Sequence, residues 1–338
     1  MKNKASQIVK YLLSVLLAAA LLYFAFKGLD WQEFWAGLKT TRWGFVVLSL
    51  VAAYLALVFR AERWRLQLVT LDEGIGRKNI WHGSNIGNFM SLIIPGIGEF
   101  IRCAHVATKK AGYDRTLGTI IVERAWDLLA VAALLLLAVG ANSGKLVPFM
   151  QTHILQPFAG RFSFSIWWLA GGAALAAVLV VLLIFAFREK SRFCAKCADA
   201  VLGIFRGVAA FGKMKGKVLF ILYTAGIWTA YILMAYFTML SVPGIDSLGF
   251  EDAIFISAVG NIASVVPTPG NLGAYHYIVG LAISSIYLGS SEILPAPLLF
   301  ATLAHGSHAI LLILLAIYSY ILITVRKNKS SHATDSSR

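Results

Sequence analysis

Long apolar runs separated by short polar stretches are the main feature of the sequence. Six of them, at about 8–26, 43–59, 116–139, 164–187, 218–240 and 297–325, are long enough to cross a bilayer as helices, since roughly 20 residues at about 1.5 Å each span its hydrocarbon core. A backbone in lipid must satisfy its own hydrogen bonds, and a single run does so only as a helix. The pattern therefore predicts an all-α polytopic membrane protein with about six full spans.

Two further apolar stretches, at 82–98 and 253–288, are interrupted by Pro and Gly and are interpreted as re-entrant hairpins, which leave the membrane on the side they enter. With that course, most of the 30 Lys and Arg residues fall on one side, which the positive-inside rule assigns to the cytosol. A single crossing at the first stretch would move Arg102, Lys109, Lys110 and Arg115 outside and invert every later loop. The charges therefore predict a multi-pass protein of the cytoplasmic (inner) membrane with both termini in the cytosol.

The two interrupted stretches resemble each other. Each has a Gly-Asn pair followed by a Pro-Gly turn: the first contains Gly87, Asn88, Pro95, Gly96 and Gly98, and the second contains Gly260, Asn261, Pro267, Pro269, Gly270 and Gly273. Each half of the chain, about 1–140 and 160–325, then consists of two spans, a hairpin and a span, and the halves begin on opposite sides. This order indicates an inverted repeat with broken helices, an architecture typical of alternating-access transporters.

The two Pro-Gly turns are the first candidate ligand site. Irregular backbone at membrane depth must be buried in protein or line a watery cavity. Glycine lets a ligand approach the backbone, and a helix that begins after the turn favours an anionic group at its N-terminus. The alternative is that Pro and Gly break these helices only for packing.

Charged residues in the third predicted span form a second candidate site. Glu123 and Asp127 share a helix face, and Arg124 is spaced to pair with Asp127. Charges at membrane depth are costly, so they should face a partner or a cavity. Either they mark a substrate pathway, or they join helices, together with Glu99 or Arg102 of the first hairpin.

Basic and histidine side chains near the ends of other spans are further candidates. Arg60 and Arg63, one helical turn apart at the inner end of the second span, can grip a lipid phosphate; the alternative is that they are interface anchors. His276 follows the second turn, and His305 and His308 lie on the last span. For these histidines, lining of a pore or hydrogen bonding between helices is favoured over metal binding. No metal site and no cofactor is predicted.

Composition supports a membrane protein and argues against a nucleic-acid partner. The chain is 59% hydrophobic and only 14% charged, more apolar surface than a soluble core of 338 residues can bury. The net charge of +14 does not indicate nucleic acid, because the basic residues lie between apolar runs. Residues 1–325 are predicted to form a single transmembrane domain. Within it, the basic stretch 188–217 is either an amphipathic helix on the inner leaflet or a solvated loop, and 326–338 is a disordered cytosolic tail.

Four motifs together resemble a known family. They are Arg60-Ala-Glu-Arg63-Trp64, then Asn88 followed by Pro95-Gly96-Ile-Gly98-Glu99-Phe-Ile-Arg102, then Gly118-Thr-Ile-Ile-Val-Glu123-Arg124-Ala-Trp-Asp127, and finally Pro267-Thr-Pro269-Gly270-Asn-Leu-Gly273. In order and spacing they are similar to the flippase-like membrane domain of bacterial lysylphosphatidylglycerol synthases, up to about residue 325. Two positions depart from the family pattern: Ile97 stands where a basic residue is frequent, and His276 stands where Glu is usual.

The resemblance implies a lipid flippase or translocase that moves a phospholipid or a lipid-linked phosphate head group between leaflets. It implies a stand-alone member, and no enzyme activity is expected, because the chain ends soon after its last predicted span. The expected partners are membrane lipids, anionic or polyprenyl-phosphate, with a second copy or a separate lipid-modifying enzyme as protein partners. A membrane enzyme acting on a lipid head group and a non-transporting scaffold are the alternatives.

The candidate substrate-binding set combines residues of the two interrupted stretches with charged residues of the first hairpin and of the predicted spans. Within it, the phosphate would pair with Arg124 or Arg102, while Glu99, Glu123 and Asp127 supply counter-charge or carry protons. The full set is Arg60, Arg63, Asn88, Pro95, Gly96, Gly98, Glu99, Arg102, Glu123, Arg124, Asp127, Asn261, Pro267, Pro269, Gly270, Gly273 and His276.

Overall fold

The computed structural model describes residues 2–145 and 214–335, together with the positions 179, 182–189, 191, 194, 195, 198 and 202 between them. Its regular secondary structure in these residues is helical. The main helices are α1 (Lys2–Phe26), α2 (Trp31–Thr40), α3 (Trp43–Leu71), α4 (Arg77–Ile93), α5 (Ile97–Val106), α6 (Tyr113–Ala141), α7 (Lys217–Ser241), α8 (Phe250–Ala263), α9 (Ala274–Leu288) and α10 (Pro295–Asp335), with a short 3-10 helix at Pro269–Asn271.

Three of the described helices are long and apolar enough to cross a membrane: α3, α7 and the part Pro295–Val325 of α10. A fourth crossing is added if Tyr11–Phe26 and α2, which meet at an angle of 89°, are counted as one broken span. The predicted all-helical membrane protein is thus confirmed. The count of six spans stays a prediction. Most of the predicted span 164–187 lies outside the described residues, as does most of the basic stretch 188–217.

The helices form two compact units. One consists of Met1–Ile120 with Lys215–Arg338, and the other consists of Ile121–Met214, so that the boundary falls within α6. The first unit holds α1–α5, the first turns of α6, and α7–α10. Its last helix continues to Asp335, whereas the sequence predicted a disordered tail from residue 326.

An antiparallel pair, α3 with α7, runs through the first unit. At one end the backbone N–H of Arg42 donates to the carbonyl of Ser241 at 2.9 Å. Further along, the hydroxyls of Ser49 and Thr238 are hydrogen-bonded at 2.9 Å, and both residues are buried. Nearer the other end the helices approach closely, because a Cβ on Gly226 would lie 2.9 Å from the Phe59 ring. Small and hydroxylated residues therefore join the two helices along their length.

The first interrupted stretch is a helical hairpin, in which α4 and α5 run antiparallel on either side of a Pro-Gly turn. Gly96 adopts φ +78°, a left-handed conformation that favours glycine. Gly87 and Gly98 then bring the two backbones together, since a Cβ on Gly98 would lie only 1.8 Å from the carbonyl oxygen of Gly87. The glycines thus serve the turn at one position and close helix packing at two others.

The second interrupted stretch folds back in the same manner. Helices α8 and α9 are antiparallel neighbours, with the Tyr275 ring against Gly260. In the turn between them, Gly270 and Asn271 both have positive φ, at 54° and 63°. The Asn271 side-chain amide donates to the Ser264 hydroxyl at 2.7 Å and holds the turn. Both predicted breaks are therefore present as broken helices, while their re-entrant course in a bilayer stays a prediction.

Helix α2 was not predicted from the sequence. It begins at an Asp30 N-cap, whose carboxylate accepts hydrogen bonds from the backbone N–H groups of Gln32 and Glu33 at 2.8 and 3.0 Å. Asp30 with Glu33 three residues later is a helix start signal, although it lies between two predicted spans. Phe34 is buried in the core of the first unit, together with side chains of α7–α10.

Candidate functional site

The two hairpins meet at the second Pro-Gly turn. A Cβ on Gly270 would lie 3.1 Å from the backbone carbonyl oxygen of Leu92, so the turn rests against the last residues of α4. Leu92 lies three residues before Pro95, at the tip of the first hairpin. The structure therefore brings the two sequence-predicted turns into one region of the first unit.

Helix α9 begins at this turn with an uncapped N-terminus. Its N-cap residue, Gly273, has φ +82° and offers no side chain to the first N–H groups of the helix, which have no intrahelical acceptor. Gly273, Ala274 and His276 are all buried. Helix α1 covers this end, because a Cβ on Gly273 would lie 2.4 Å from the carbonyl oxygen of Ala18. A buried helix N-terminus without a cap is a place where an anion is favoured.

Two buried polar atoms at this end have no hydrogen-bond partner among the described residues: Oγ1 of Thr268 and Nδ1 of His276. Thr268 is 2% exposed and His276 is 4% exposed. Buried polar atoms are normally paired, so each unpaired one requires an explanation. Thr268 was not among the residues predicted from the sequence, although its position between two prolines places it in the predicted turn.

Three histidines lie together beside the N-terminus of α9. The rings of His276 and His305 have centroids 5.2 Å apart, and the Tyr275 ring lies 6.0 Å from His305. His308 follows one turn later on α10, and its Nδ1 is also buried without a partner in the described part of the chain. No group of three or more metal-ligating side chains in these residues is arranged to hold an ion.

Arg60 connects α3 to α7. Its guanidinium donates to the hydroxyl of Tyr231 on α7 at 3.4 Å. The backbone carbonyl of Tyr231 accepts a hydrogen bond from Ser257 on α8 at 3.4 Å. Arg60 thus joins α3 to α7, at a residue of α7 that also contacts α8.

Arg63 is engaged elsewhere in the first unit. It is 1% exposed, its guanidinium lies 5.5 Å from the centroid of the Phe220 ring, and it donates to the Thr224 hydroxyl at 3.3 Å. All of these contacts join α3 to α7. Arg63 therefore stabilises the helix pair by burial and cation–π contact.

Arg102 and Glu99 pair with each other on α5, at 2.6 Å. The buried Arg102 guanidinium also lies 4.4 Å from the centroid of the Trp64 ring, and the Trp64 indole N–H donates to the Thr119 hydroxyl at 2.8 Å. This chain of contacts runs from the first hairpin through α3 to the start of α6. The Arg102 charge is therefore already balanced by Glu99 and by an aromatic face.

The charges of α6 lie in the second unit, beyond Ile120. Arg124 and Asp127 form an ion pair at 3.6 Å, as their spacing predicts, with the Arg124 side chain 49% exposed. Glu123 is buried. The remaining predicted residues belong to the hairpins: Asn88, Asn261 and Pro269 are half-buried, and Pro95 and Pro267 are exposed.

Two polar links that were not predicted lie at the end of α3 away from α2. Glu62 pairs with both Arg65 and Arg77. Asp72 accepts a hydrogen bond from the Thr108 hydroxyl at 2.7 Å. That bond, with a second one from the backbone N–H of Gly74, lowers the pKa of the Asp72 carboxyl. These links attach the connections on either side of the first hairpin to α3.

Comparison with known proteins adds the following findings. A family model described as the lysylphosphatidylglycerol synthase TM region matches residues 11–324, a range that contains both hairpins and α6. The chain is also 22% identical over 264 residues to the UPF0104 membrane protein PH1989 of Pyrococcus horikoshii, an alignment that covers 71% of this chain and 78% of the relative. No solved structure matches the chain significantly.

Proposed function

This chain belongs to the family of lysylphosphatidylglycerol synthase transmembrane regions, and from that premise we propose that it moves a phosphate-bearing lipid between the leaflets of the cytoplasmic membrane. The cargo is a phospholipid or a lipid-linked phosphate, and the step is transport rather than chemistry. Both termini face the cytosol in this proposal, and the two halves alternate access by opposite movements of an inverted repeat.

The observation that carries the proposal is the meeting of the two broken helices, with Gly270 against the backbone of Leu92. Broken helices at membrane depth require protein or water around their free backbone groups. Where two such breaks touch, a small movement of one hairpin changes the surroundings of the other. That coupling is what an alternating-access site requires.

The phosphate group is proposed to bind at the N-terminus of α9. The uncapped N–H groups there, the Thr268 hydroxyl and the His276 imidazole supply hydrogen bonds, and Arg60 supplies a positive charge. Of the two arginines expected to hold the head group, Arg102 is assigned a packing role instead, because Glu99 and Trp64 already satisfy it.

The charged residues of α6 keep their predicted role in the proposal. Glu123 and Asp127 supply counter-charge or carry protons, and Arg124 contacts the head group at one stage of its passage. Because Arg124 is ion-paired with Asp127, a phosphate would exchange one anionic partner for another.

Reconstitution of the protein into liposomes tests the transport step. We expect the wild type to move phosphatidylglycerol, labelled with a fluorophore on one acyl chain, into the outer leaflet, where a membrane-impermeant reductant quenches it. Gly270→Ala should abolish this movement, because its Cβ separates the turn from Leu92. Gly289→Ala is the matched control: it carries the same left-handed penalty, about 1–2 kcal/mol, at φ +66° but with open space around it.

Equal transport by the two glycine variants would contradict the role given to the meeting turns. A wild type that moves neither labelled phosphatidylglycerol nor a labelled polyprenyl phosphate would contradict the proposed function itself. Mass spectrometry of lipids retained by the gently purified protein identifies the cargo class. Selective enrichment should be lost in Arg60→Ala and kept in Arg42→Ala, whose arginine pairs with Asp246 at the opposite end of α3.

A further inference from the structure

Helix α2 has an apolar face wider than the part that packs against the protein. Counted at about 100° per residue, its four large apolar side chains occupy one arc of about 100°: Phe34, Leu38, Trp31 and Trp35. The rest of its circumference carries only polar or small residues. The pattern is that of an amphipathic helix, with one polar side and one apolar side.

The core of the first unit covers only half of this apolar arc. Phe34 is buried, and Leu38 packs against the same hydrophobic cluster. Trp31 and Trp35, which complete the arc, are 51% and 53% exposed. Two large indoles on one short helix are therefore left uncovered by the first unit.

The position of α2 is fixed by its neighbours. It follows α1 at an angle of 89° and immediately precedes α3, which is long enough to cross a membrane. Asp30 caps its start, and a Cβ on Gly37 would lie 3.0 Å from the Leu299 side chain, so α2 is seated on α10. Trp43, the first residue of α3, is 55% exposed at the same end of the helix bundle.

We propose that α2 lies flat in the interface of the bilayer, with Trp31 and Trp35 inserted at the boundary between head groups and acyl chains. The leaflet is the one opposite Leu71, the last residue of α3, because the 29 residues of this helix extend for about 44 Å and the hydrocarbon core is only about 30 Å thick. Tryptophan is enriched at this depth, since its ring is apolar and its N–H is polar.

The size of the uncovered surface favours lipid over a protein partner. Two indoles, each about half exposed, present roughly 200 Å² of apolar area, whereas a stable protein interface needs about 800 Å² on each partner. The adjoining polar arc, with Gln32 and Lys39, suits the head-group region and water. This inference does not rest on lipid transport and holds for any role of the protein.

Spin labels on the two arcs test the proposal in the full chain reconstituted in phosphatidylglycerol-containing liposomes. Cys194 and Cys197 are replaced by Ser, while Cys103 stays, because it is buried; this background without an added cysteine is the labelling blank. Trp35→Cys places the nitroxide on the uncovered apolar arc, and Gln32→Cys places it on the polar arc of the same helix. Both positions are exposed, so neither label disturbs the core.

Power saturation with oxygen and with a water-soluble nickel complex gives the depth of each label. We expect the label at position 35 to lie about 5–10 Å below the phosphate level, and the label at position 32 to lie at or above that level. Equal access of the nickel complex to both labels would overturn the proposal, because α2 would then face water. Shielding of the label at position 35 from both reagents would also overturn it, in favour of a protein covering α2.

Discussion

Replacing Gly98 by Ala should force the first hairpin open. The added Cβ would lie 1.8 Å from the carbonyl oxygen of Gly87 and 2.4 Å from the Ser91 hydroxyl. Ordinary van der Waals contact begins at about 3.4 Å, so α4 and α5 must separate by more than about 1 Å. The nearest obstructing atom belongs to the backbone of Gly87, which cannot rotate away as a flexible side chain can.

The energetic cost follows from packing. Forcing a methyl group into a filled contact destabilises by about 1–3 kcal/mol, and a gap of about 1 Å along the helix pair also weakens the neighbouring dispersion contacts. Against this, Ala favours a helix over Gly by at most about 1 kcal/mol. Gly98→Ala should therefore destabilise the protein, with a loss of hairpin packing as the cause.

Thermal unfolding of the purified protein in detergent measures the effect. Gly98→Ala should lower the Tm by several degrees, whereas Gly118→Ala, in the interior of α6 with open space around it, should leave the Tm unchanged or raise it slightly. Gly96→Ala tests the conformation of the turn apart from helix packing. At this position the φ of +78° would strain an alanine, but no atom lies within 4 Å of the added Cβ. An unchanged Tm for Gly98→Ala would refute the close contact between α4 and α5.

Three further outcomes are expected. The pKa of Asp72 is lowered because its ionised carboxylate accepts hydrogen bonds in the folded protein. These bonds therefore stabilise the fold above the ordinary carboxyl pKa of about 3.9, and this stabilisation is lost as the pH falls through the lowered pKa. Thr108→Val should reduce this acid dependence of the Tm, because it removes one of the bonds. Trp64→Phe and Thr119→Val should each destabilise by about 1 kcal/mol, and their effects should be non-additive in a double mutant, because they remove the same hydrogen bond. Arg124→Ala should abolish lipid movement in liposomes without preventing membrane insertion, and full transport by that variant would contradict its proposed contact with the head group.

The helices and their breaks could be predicted from the sequence because they depend on local properties. Apolar runs of sufficient length become helices in lipid whatever they pack against. The Pro-Gly clusters interrupt those helices where the backbone needs a left-handed residue, as at Gly96 and Gly270. The ion pair of Arg124 with Asp127 likewise follows from helical spacing alone.

The partners of individual side chains could not be predicted in this way, because they depend on contacts distant in sequence. The contact of Arg60 with Tyr231 joins residues 171 positions apart. The sequence shows the charge of Arg102, which is predicted to pair with a head group, but it does not show the Trp64 ring that covers the guanidinium. Helix α2 was missed for a different reason: at ten residues it is too short to give a periodic signal as strong as that of a span.

The pairing of α3 with α7 has a consequence for biosynthesis. Arg63 and its partner Thr224 are 161 residues apart, and a ribosome that adds about 5–20 residues per second needs roughly 8–30 s to make the intervening chain. During that interval α3 has emerged, but the Thr224 hydroxyl and the Phe220 ring that contact Arg63 have not yet been synthesised. The nascent first half must therefore wait in an unfinished state, held by the insertion machinery or with Arg63 extended towards the aqueous surface, until α7 arrives to complete its burial.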